Sequence, residues 1–204
     1  MLRCALHDVL SLILPSSFLI KKRVKLFLIG MPGAGKTTLG CALAAHYGMP
    51  FLDLDAEIVA RAGQVIPAIF LEHGEARFRE LEAEVLREVA ARPEALVLAT
   101  GGGTPCFHDN LTILNASGFT LWLDVPVAML ATRLAAGQQK ASRPLLATSG
   151  PTEKWLAETL SGRQQFYTQA RLRCAGAACT VPEVAGLLAN AGFAPPSAEL
   201  VPGV

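Results

Sequence analysis

The most constraining feature of the sequence is a glycine-rich segment between an apolar stretch and a helix-like stretch. Residues 30–37 read GMPGAGKT and fit the pattern G-x-x-x-x-G-K-[ST]. The apolar residues 26–29 before it predict a buried strand, and the residues from Lys36 to Tyr47 predict a helix. In this context the glycines let backbone N–H groups surround a phosphate, and the helix directs its positive end at the same group. The strand–loop–helix context favours this interpretation over a plain glycine-rich turn.

Short apolar segments alternate with segments of helical periodicity along the rest of the chain. Because strands that alternate with helices form parallel sheets covered on both faces, we expect an α/β fold with three layers and a five-stranded parallel sheet flanked by helices. Strands are predicted over residues 26–29, 51–54, 96–99, 120–123 and, weakly, 179–181. Helices are predicted over residues 36–47, 56–62, 66–73, 75–91 and 152–170, after Pro126, and from a capping pair, Thr180 and Glu183, to about Asn190.

The length of 204 residues fits one domain with short extensions. We expect this domain to span residues 25–192, with a poorly ordered N-terminal extension over residues 1–24 and a C-terminal tail over residues 193–204. A membrane-associating or partner-binding arm is the alternative interpretation of the extension. Residues 137–151 are rich in Gly, Gln, Ser and Pro, which predicts a mobile lid.

The composition disfavours several classes of protein. The 18 Lys and Arg against 17 Asp and Glu give a net charge of +1, so no overall excess of positive charge points to nucleic acid. The mean hydropathy is +0.38, yet no apolar run reaches the roughly 18 residues of a membrane-spanning helix. The five cysteines are scattered and include no CxxC pair, which predicts neither a disulfide framework nor a zinc site. We therefore expect a cytoplasmic protein with no nucleic-acid or membrane partner and, because no heptad pattern is present, a monomer.

Two carboxylates lie at the C-terminal end of the second predicted strand, in the segment FLDLD over residues 51–55. Ligands of open α/β sheets bind at this carboxyl edge, and strand alternation would direct Asp53 and Asp55 to the same side. One of them could face a metal ion and the other a substrate hydroxyl. The alternative is that Asp55 caps a helix while Asp53 is solvated.

Arginines and a triple glycine form a second group of candidates. Arg79 and Glu82 are three residues apart on one predicted helix, so the carboxylate can hold the guanidinium for a ligand carboxylate or phosphate, although a surface ion pair is the commoner case. The glycines at 101–103 follow a predicted strand and allow close approach of a ligand to the backbone. Arg143 lies in the predicted lid, and Arg163 supplies a further guanidinium.

The joint order of these motifs resembles the shikimate kinase family from about residue 25 to residue 190. This resemblance implies a P-loop kinase fold and the ATP-dependent phosphorylation of shikimate to shikimate 3-phosphate, with Mg²⁺, in the biosynthesis of chorismate and the aromatic amino acids. The matching segments are GMPGAGKTT (30–38), FLDLD (51–55), HGEARFRELE (73–82), LVLATGGG (96–103), LWLD (121–124), RPLL (143–146) and Arg163 with FYTQA (166–170).

The resemblance implies a role for each candidate residue on the nucleotide side. Thr37 and Asp53 would bind Mg²⁺, Arg133 would lie against adenine, and Arg143 would contact ATP from the lid. Lys36 and Arg143 would stabilise the charge that develops on the transferred phosphoryl group. The residues around the ATP phosphates would be Gly33, Ala34, Gly35, Lys36, Thr37 and Thr38.

The resemblance also implies the residues of the acceptor site. Asp55 would contact the hydroxyl that accepts the phosphoryl group, and would act with Lys36 and Arg143 in catalysis. Arg79 and Arg163 would hold the shikimate carboxylate, and Gly102 would complete the site. Two alternatives remain: a related small-metabolite kinase, such as one resembling gluconate kinase, and a non-catalytic domain that senses ATP or a metabolite.

Overall fold

The computed structural model describes residues 24–136, 153–176 and 179–195. The predicted extension before residue 24, the predicted lid and Arg143 lie outside the described residues, as does most of the predicted tail. Phe193 belongs to the core, because its ring is buried between Tyr47 and Phe119. Within the described part of the chain no helix is long and apolar enough to cross a membrane.

A five-stranded parallel sheet forms the centre of the molecule, as predicted. The central strand is apolar and fully covered, because helices pack on both faces of the sheet. The strand order is β2-β3-β1-β4-β5, and every neighbouring pair is parallel. The strands are β1 (Lys25–Ile29), β2 (Phe51–Asp53), β3 (Leu96–Ala99), β4 (Phe119–Asp124) and β5 (Leu172–Ala175).

Seven helices are described. The predicted helices are all present, and the structure adds a helix and a short 3-10 helix (Thr104–Cys106) between β3 and β4, where none was predicted. The bounds are α1 (Lys36–Tyr47), α2 (Leu54–Ala62), α3 (Ile66–Ala91), α4 (Asn110–Ser117), α5 (Val127–Ala136), α6 (Glu153–Tyr167) and α7 (Val181–Asn190).

Helix α3 contains a kink that separates the two helices predicted from the sequence. Gly74 has φ 75° and ψ 175° inside an otherwise helical segment. Only glycine takes up this conformation without steric cost, so the chain changes direction between residues 73 and 75. The second half of α3 then buries Phe78, Arg79 and Glu82.

The position predicted for the last strand is wrong. Strand β5 lies at Leu172–Ala175, whereas residues 179–181 lead into α7. The Thr180 hydroxyl accepts a hydrogen bond from the Glu183 backbone N–H, and the Glu183 carboxylate accepts one from the Thr180 N–H. This predicted capping box draws residues 179–181 into the start of the helix. The edge strand gives a weak sequence signal because it buries little beyond Cys174.

The expectation that the cysteines form no disulfide is wrong for one pair. Cys174 of β5 is joined to Cys179, which precedes α7, and their Cα atoms are 6.1 Å apart. The return of the chain from the sheet edge to α7 brings the two residues together, which their spacing did not reveal. Cys41 and Cys106 are free thiols among the described cysteines.

Candidate active site

The candidate site lies at the carboxyl edge of the sheet. Strand register pairs Ala99 with Leu28 on one side and with Asp53 on the other. The segments that follow β1, β2 and β3 therefore emerge side by side, which is the arrangement expected of a ligand site in an open α/β sheet.

The glycine-rich segment forms a loop between β1 and α1. Gly33 and Gly35 have φ of 81° and 92°, which favours glycine over other residues. A Cβ at Gly33 would lie 3.0 Å from Leu134 Cγ, so a side chain there would also crowd α5. Gly35 is the N-cap of α1 and no described side chain caps this helix, so its first N–H groups are suited to bind an anion.

Lys36 closes this loop. Its buried Nζ donates hydrogen bonds to the carbonyl oxygens of Gly30 at 2.9 Å and Met31 at 3.0 Å. The ammonium group is thereby held beside the backbone N–H groups of the loop. An anion bound there would meet the lysine charge and the positive end of α1 together.

Thr37 and Asp53 lie in direct contact, and Asp53 also holds the backbone of Asp55. The Thr37 hydroxyl donates to Asp53 Oδ2 at 2.9 Å, and Asp53 Oδ1 accepts a hydrogen bond from the Asp55 N–H at 3.0 Å. The prediction that both carboxylates lie on one strand is wrong, because α2 begins at Leu54 and Asp53 is its N-cap. The alternative that Asp55 caps the helix is wrong as well. Hydroxyl and carboxylate oxygens are suitable ligands for Mg²⁺, so the donor set fits this metal.

A cavity of about 540 Å³ lies beside the loop. It brings the predicted phosphate-binding residues together with both predicted carboxylates and with Arg133, whose Nη1 donates to the carbonyl oxygens of Gly33 and Ala34 at 3.3 and 3.4 Å. The lining residues are Gly33, Ala34, Gly35, Lys36, Thr37, Thr38, Leu39, Ala42, Asp53, Asp55, Thr100, Arg133, Leu134, Cys179 and Val181.

Arg79 and Glu82 form a buried ion pair next to this cavity. Arg79 Nη1 donates to Glu82 Oε2 at 2.8 Å, and the Glu82 side chain is 1% exposed. Glu75 accepts further hydrogen bonds from Arg79 Nε and Nη2 at 3.2 and 3.1 Å. Thr104, which the sequence did not indicate, donates to Glu82 Oε1 at 2.5 Å. The alternative of a surface ion pair is therefore wrong.

The triple glycine allows several polar side chains to approach the backbone. A Cβ at Gly101 would lie 3.1 Å from Glu82 Oε1 and 3.5 Å from Asp55 Oδ1. At Gly102 it would lie 3.1 Å from Arg163 Nη1, and at Gly103 it would lie 2.8 Å from Arg79 Nη2.

These contacts explain why all three positions are glycine. A side chain at any of the three positions would displace a neighbour, because contacts under 3.4 Å are already tight. The glycines thus gather Asp55, Arg79 and Arg163 around one turn of backbone.

Arg163 and Tyr167 approach the same turn from α6. Arg163 Nη1 is buried and has no hydrogen-bond partner among the described residues, which is unusual for a charged donor and points to an anionic ligand. The Tyr167 hydroxyl donates to the Gly102 carbonyl oxygen at 2.5 Å. Burial raises the Tyr167 pKa, although the nearby Arg163 charge acts in the opposite direction. Arg163 and Tyr167 are four residues apart on one helix, and this spacing was the available sequence signal that both lie on the same helix face.

Comparison with known proteins identifies the family. The family model described as shikimate kinase matches residues 32–189. The chain belongs to the shikimate kinase family. A shikimate kinase from Phocaeicola vulgatus is 46% identical over 149 residues, which cover 72% of this chain and 83% of the relative. The solved structure described as shikimate kinase from Acinetobacter baumannii in complex with shikimate is 34% identical, with a TM-score of 0.74, and the match covers 84% of this chain and 93% of that one.

Family membership makes this chain an enzyme, a kinase whose reaction is the phosphorylation of shikimate. The rival family is not favoured. A gluconokinase from Sinorhizobium meliloti is 16% identical, with a TM-score of 0.54 over 84% of this chain and 95% of that one, which shows a shared fold and nothing further.

Proposed function

We propose that this kinase transfers the γ-phosphoryl group of ATP to a hydroxyl of shikimate, giving ADP and shikimate 3-phosphate for aromatic amino-acid biosynthesis. One observation carries the assignment of the site: Asp55 lines the cavity beside the phosphate loop and also approaches the triple glycine that holds Arg79 and Arg163. It stands between a site suited to phosphate and a site suited to a carboxylate. In the reaction the γ-phosphorus leaves the ADP oxygen and bonds to the acceptor oxygen, whose proton is lost.

Nucleotide binding is assigned to the phosphate loop and α1. The loop geometry and the uncapped start of α1 support binding of the ATP phosphates by residues 33–38. Arg133 lies against this loop, which supports a contact with the adenine end of the nucleotide. Arg143 of the predicted lid is proposed to contact ATP and to spread the transition-state charge together with Lys36.

Magnesium binding is assigned to Thr37 and Asp53, whose oxygen atoms are already in contact. The ion would neutralise phosphate charge when it is bound. The same Asp53 carboxylate holds the start of α2 through the Asp55 N–H. Asp53 therefore links the metal site to the residue that faces the acceptor.

Acceptor binding is assigned to Arg79, Arg163 and Gly102. Two guanidinium groups at one turn of backbone suit a small molecule with a carboxylate, and Arg163 Nη1 supplies a buried donor for it. Asp55 is proposed to accept a hydrogen bond from the acceptor hydroxyl and to direct it at the γ-phosphorus. Its position between the two halves of the site supports this role.

The discriminating experiment measures ADP release in three parallel reactions with shikimate, with gluconate and without an acceptor. We expect shikimate-dependent ADP release that gluconate does not support. Release with gluconate would favour the related metabolite kinase. ATP binding without release in any reaction would favour a sensing domain.

We further propose that the enzyme acts as a monomer in the cytoplasm, that residues 25–192 together with Phe193 form its folded domain and that nucleic acid and membranes are not partners. The proposed use of ATP supports a location in the cytoplasm. The continuous core around the sheet supports a single folded domain. Light scattering of the purified protein should give a mass near 21.6 kDa, and a value near twice that mass would contradict the monomer.

A further inference from the structure

An aromatic ring lies against the guanidinium of Arg79 on the side of the 3-10 helix. The Cζ atom of Arg79 is 4.3 Å from the centre of the Phe107 ring and 5.1 Å from that of Phe78. Both distances are within the range of a cation–π interaction, and the Phe107 contact is the shorter. The two rings therefore contact Arg79 in addition to the carboxylates of Glu75 and Glu82.

Phe107 has no core role that would explain its position. Its side chain is 37% exposed, at the residue that follows the 3-10 helix, whereas the neighbouring Thr104 and Pro105 are buried. The ring is not among the residues of the hydrophobic core. Its partner in this structure is a charged group of the candidate active site.

The backbone around Phe107 is held in place on both sides. Its carbonyl oxygen accepts a hydrogen bond from the Asn110 N–H at 3.0 Å, and the Cys106 N–H donates to Gly103 at 2.9 Å. The Asn110 side chain donates to the Thr104 carbonyl oxygen at 3.0 Å. The ring is therefore presented by an ordered turn that begins at the triple glycine.

The same carboxylate connects this turn to Arg79. Glu82 accepts a hydrogen bond from Thr104 through Oε1 and one from Arg79 through Oε2. The ring and the guanidinium are thus fixed relative to one buried group. Glu75 and Glu82 use three of the donor positions of Arg79, so N–H groups remain at Nη1 and Nη2 for a substrate carboxylate.

We propose that Phe107 is a positioning residue for the acceptor substrate. Its ring contacts the guanidinium of Arg79 and keeps the guanidinium edge directed at the substrate carboxylate. The proposal rests on the proposed role of Arg79 in holding shikimate. A ring against the planar guanidinium restricts the rotation of the guanidinium and leaves its N–H donors available. A polar partner would instead occupy one of these donors.

The first experiment compares Phe107→Leu with Phe107→Tyr in steady-state assays. We expect Phe107→Leu to raise the KM for shikimate about three- to tenfold, with the KM for ATP and kcat changed by less than about twofold, because a weakened cation–π contact affects Arg79 and not the nucleotide site. Phe107→Tyr retains the ring and should keep a KM close to that of the wild type. An unchanged KM in Phe107→Leu, or an equal rise in both variants, would overturn the proposal.

Phe119→Leu is the matched control. Phe119 also lies under an arginine, with Arg171 Cζ 5.4 Å from its ring centre, but at the start of β4 and away from the glycine turn. Loss of this ring should lower the melting temperature and leave the KM for shikimate unchanged. A similar rise in KM from Phe119→Leu would show that loss of any such ring has this effect, and would overturn the proposal.

A second experiment replaces Phe107 with phenylalanines that carry one, two or three ring fluorines. Fluorine withdraws electron density from the face of the ring while the shape changes little, so the KM for shikimate should rise stepwise with fluorination. A KM that stays constant across the series would show that the electron density of the ring face has no effect, and would overturn the proposal. This series also keeps the proposal testable if Phe107→Leu fails to fold. Absence of shikimate-dependent ADP release in the wild-type enzyme would refute the proposed function instead. Failure of the proposed function is therefore distinguishable from failure of the proposed role of Phe107.

Discussion

The Thr37 hydroxyl donates a hydrogen bond to the Asp53 carboxylate, and their oxygen atoms are 2.9 Å apart. This contact joins the first turn of the helix after the phosphate loop to the end of a different strand, β2. The second carboxylate oxygen of Asp53 holds the start of α2, from which Asp55 faces the acceptor side of the site. One side chain thus connects the nucleotide half of the kinase to its acceptor half.

Replacement of Asp53 by Asn should weaken the magnesium site. The amide keeps the size of the side chain but removes its charge, so we expect the Mg²⁺ concentration for half-maximal rate to rise at least about tenfold. The measurement is the initial rate as a function of Mg²⁺ at constant ATP. Asp109→Asn is the control, because Asp109 is exposed and its left-handed backbone, with φ 57°, tolerates Asn. An unchanged Mg²⁺ dependence in Asp53→Asn would refute the assignment.

Replacement of Arg79 by Ala should damage shikimate use far more than ATP use. The change removes the guanidinium that is proposed to hold the carboxylate, so we expect the KM for shikimate to rise at least about tenfold while the KM for ATP changes about twofold or less. It also leaves Glu82 buried without its charged partner, which should cost about 3 kcal/mol of folding free energy.

The control for this variant lies two residues earlier in the same helix. Arg77 forms exposed ion pairs with Glu80 and Glu84, so Arg77→Ala should leave both KM values and the stability nearly unchanged. Steady-state kinetics and urea unfolding measure both effects. A normal KM for shikimate in a folded Arg79→Ala protein would exclude Arg79 from the acceptor site.

Tyr167 should make folding sensitive to high pH. Burial raises its pKa above the ordinary tyrosine value of 10.0, so the unfolded chain ionises this phenol first and binds fewer protons than the folded chain. Stability must therefore fall as the pH rises above about 10, by up to about 1.4 kcal/mol per pH unit for this one group.

Comparison with Tyr167→Phe isolates this contribution. At pH 8 the variant should be less stable by about 1 to 2 kcal/mol, because the partly buried Gly102 carbonyl loses its hydrogen bond. Between pH 9 and pH 11.5 its stability should fall less steeply than that of the wild type. Urea unfolding at a series of pH values measures both quantities, and parallel pH profiles would contradict the prediction.

The pairing of Cys174 with Cys179 predicts a thiol count. Because the disulfide in the described part of the chain uses two cysteines, protein that is purified without reductant and then unfolded should react with two more equivalents of a thiol reagent after reduction than before it. Cys179→Ser should give the same count with and without reduction, because its partner is removed. Five reactive thiols in the untreated wild type would show that the pair is reduced in the purified protein.

Sequence patterns predicted most of the fold because they report local physics. The periodicity of apolar residues predicted four of the five strands, and the capping pair at Thr180 predicted α7. Strand β5 was misplaced because an edge strand with one buried side chain has little apolar pattern to detect. Helix α4 was not predicted because the sequence around it carries no clear capping pattern. In the structure Asp109 precedes this helix in a left-handed conformation, and its side chain does not cap the helix.

By itself the sequence determined the phosphate loop, the alternation of strands and helices and the candidate residues Asp53, Asp55, Arg79 and Arg163. Each of these depends on residue type and on spacing along one segment. Only the tertiary structure decided that Asp53 caps α2 and that Phe107 lies against Arg79. The Phe107 contact joins segments that are far apart in sequence, and the Asp53 cap depends on where strand β2 ends, so both follow from how the segments pack at the edge of the sheet.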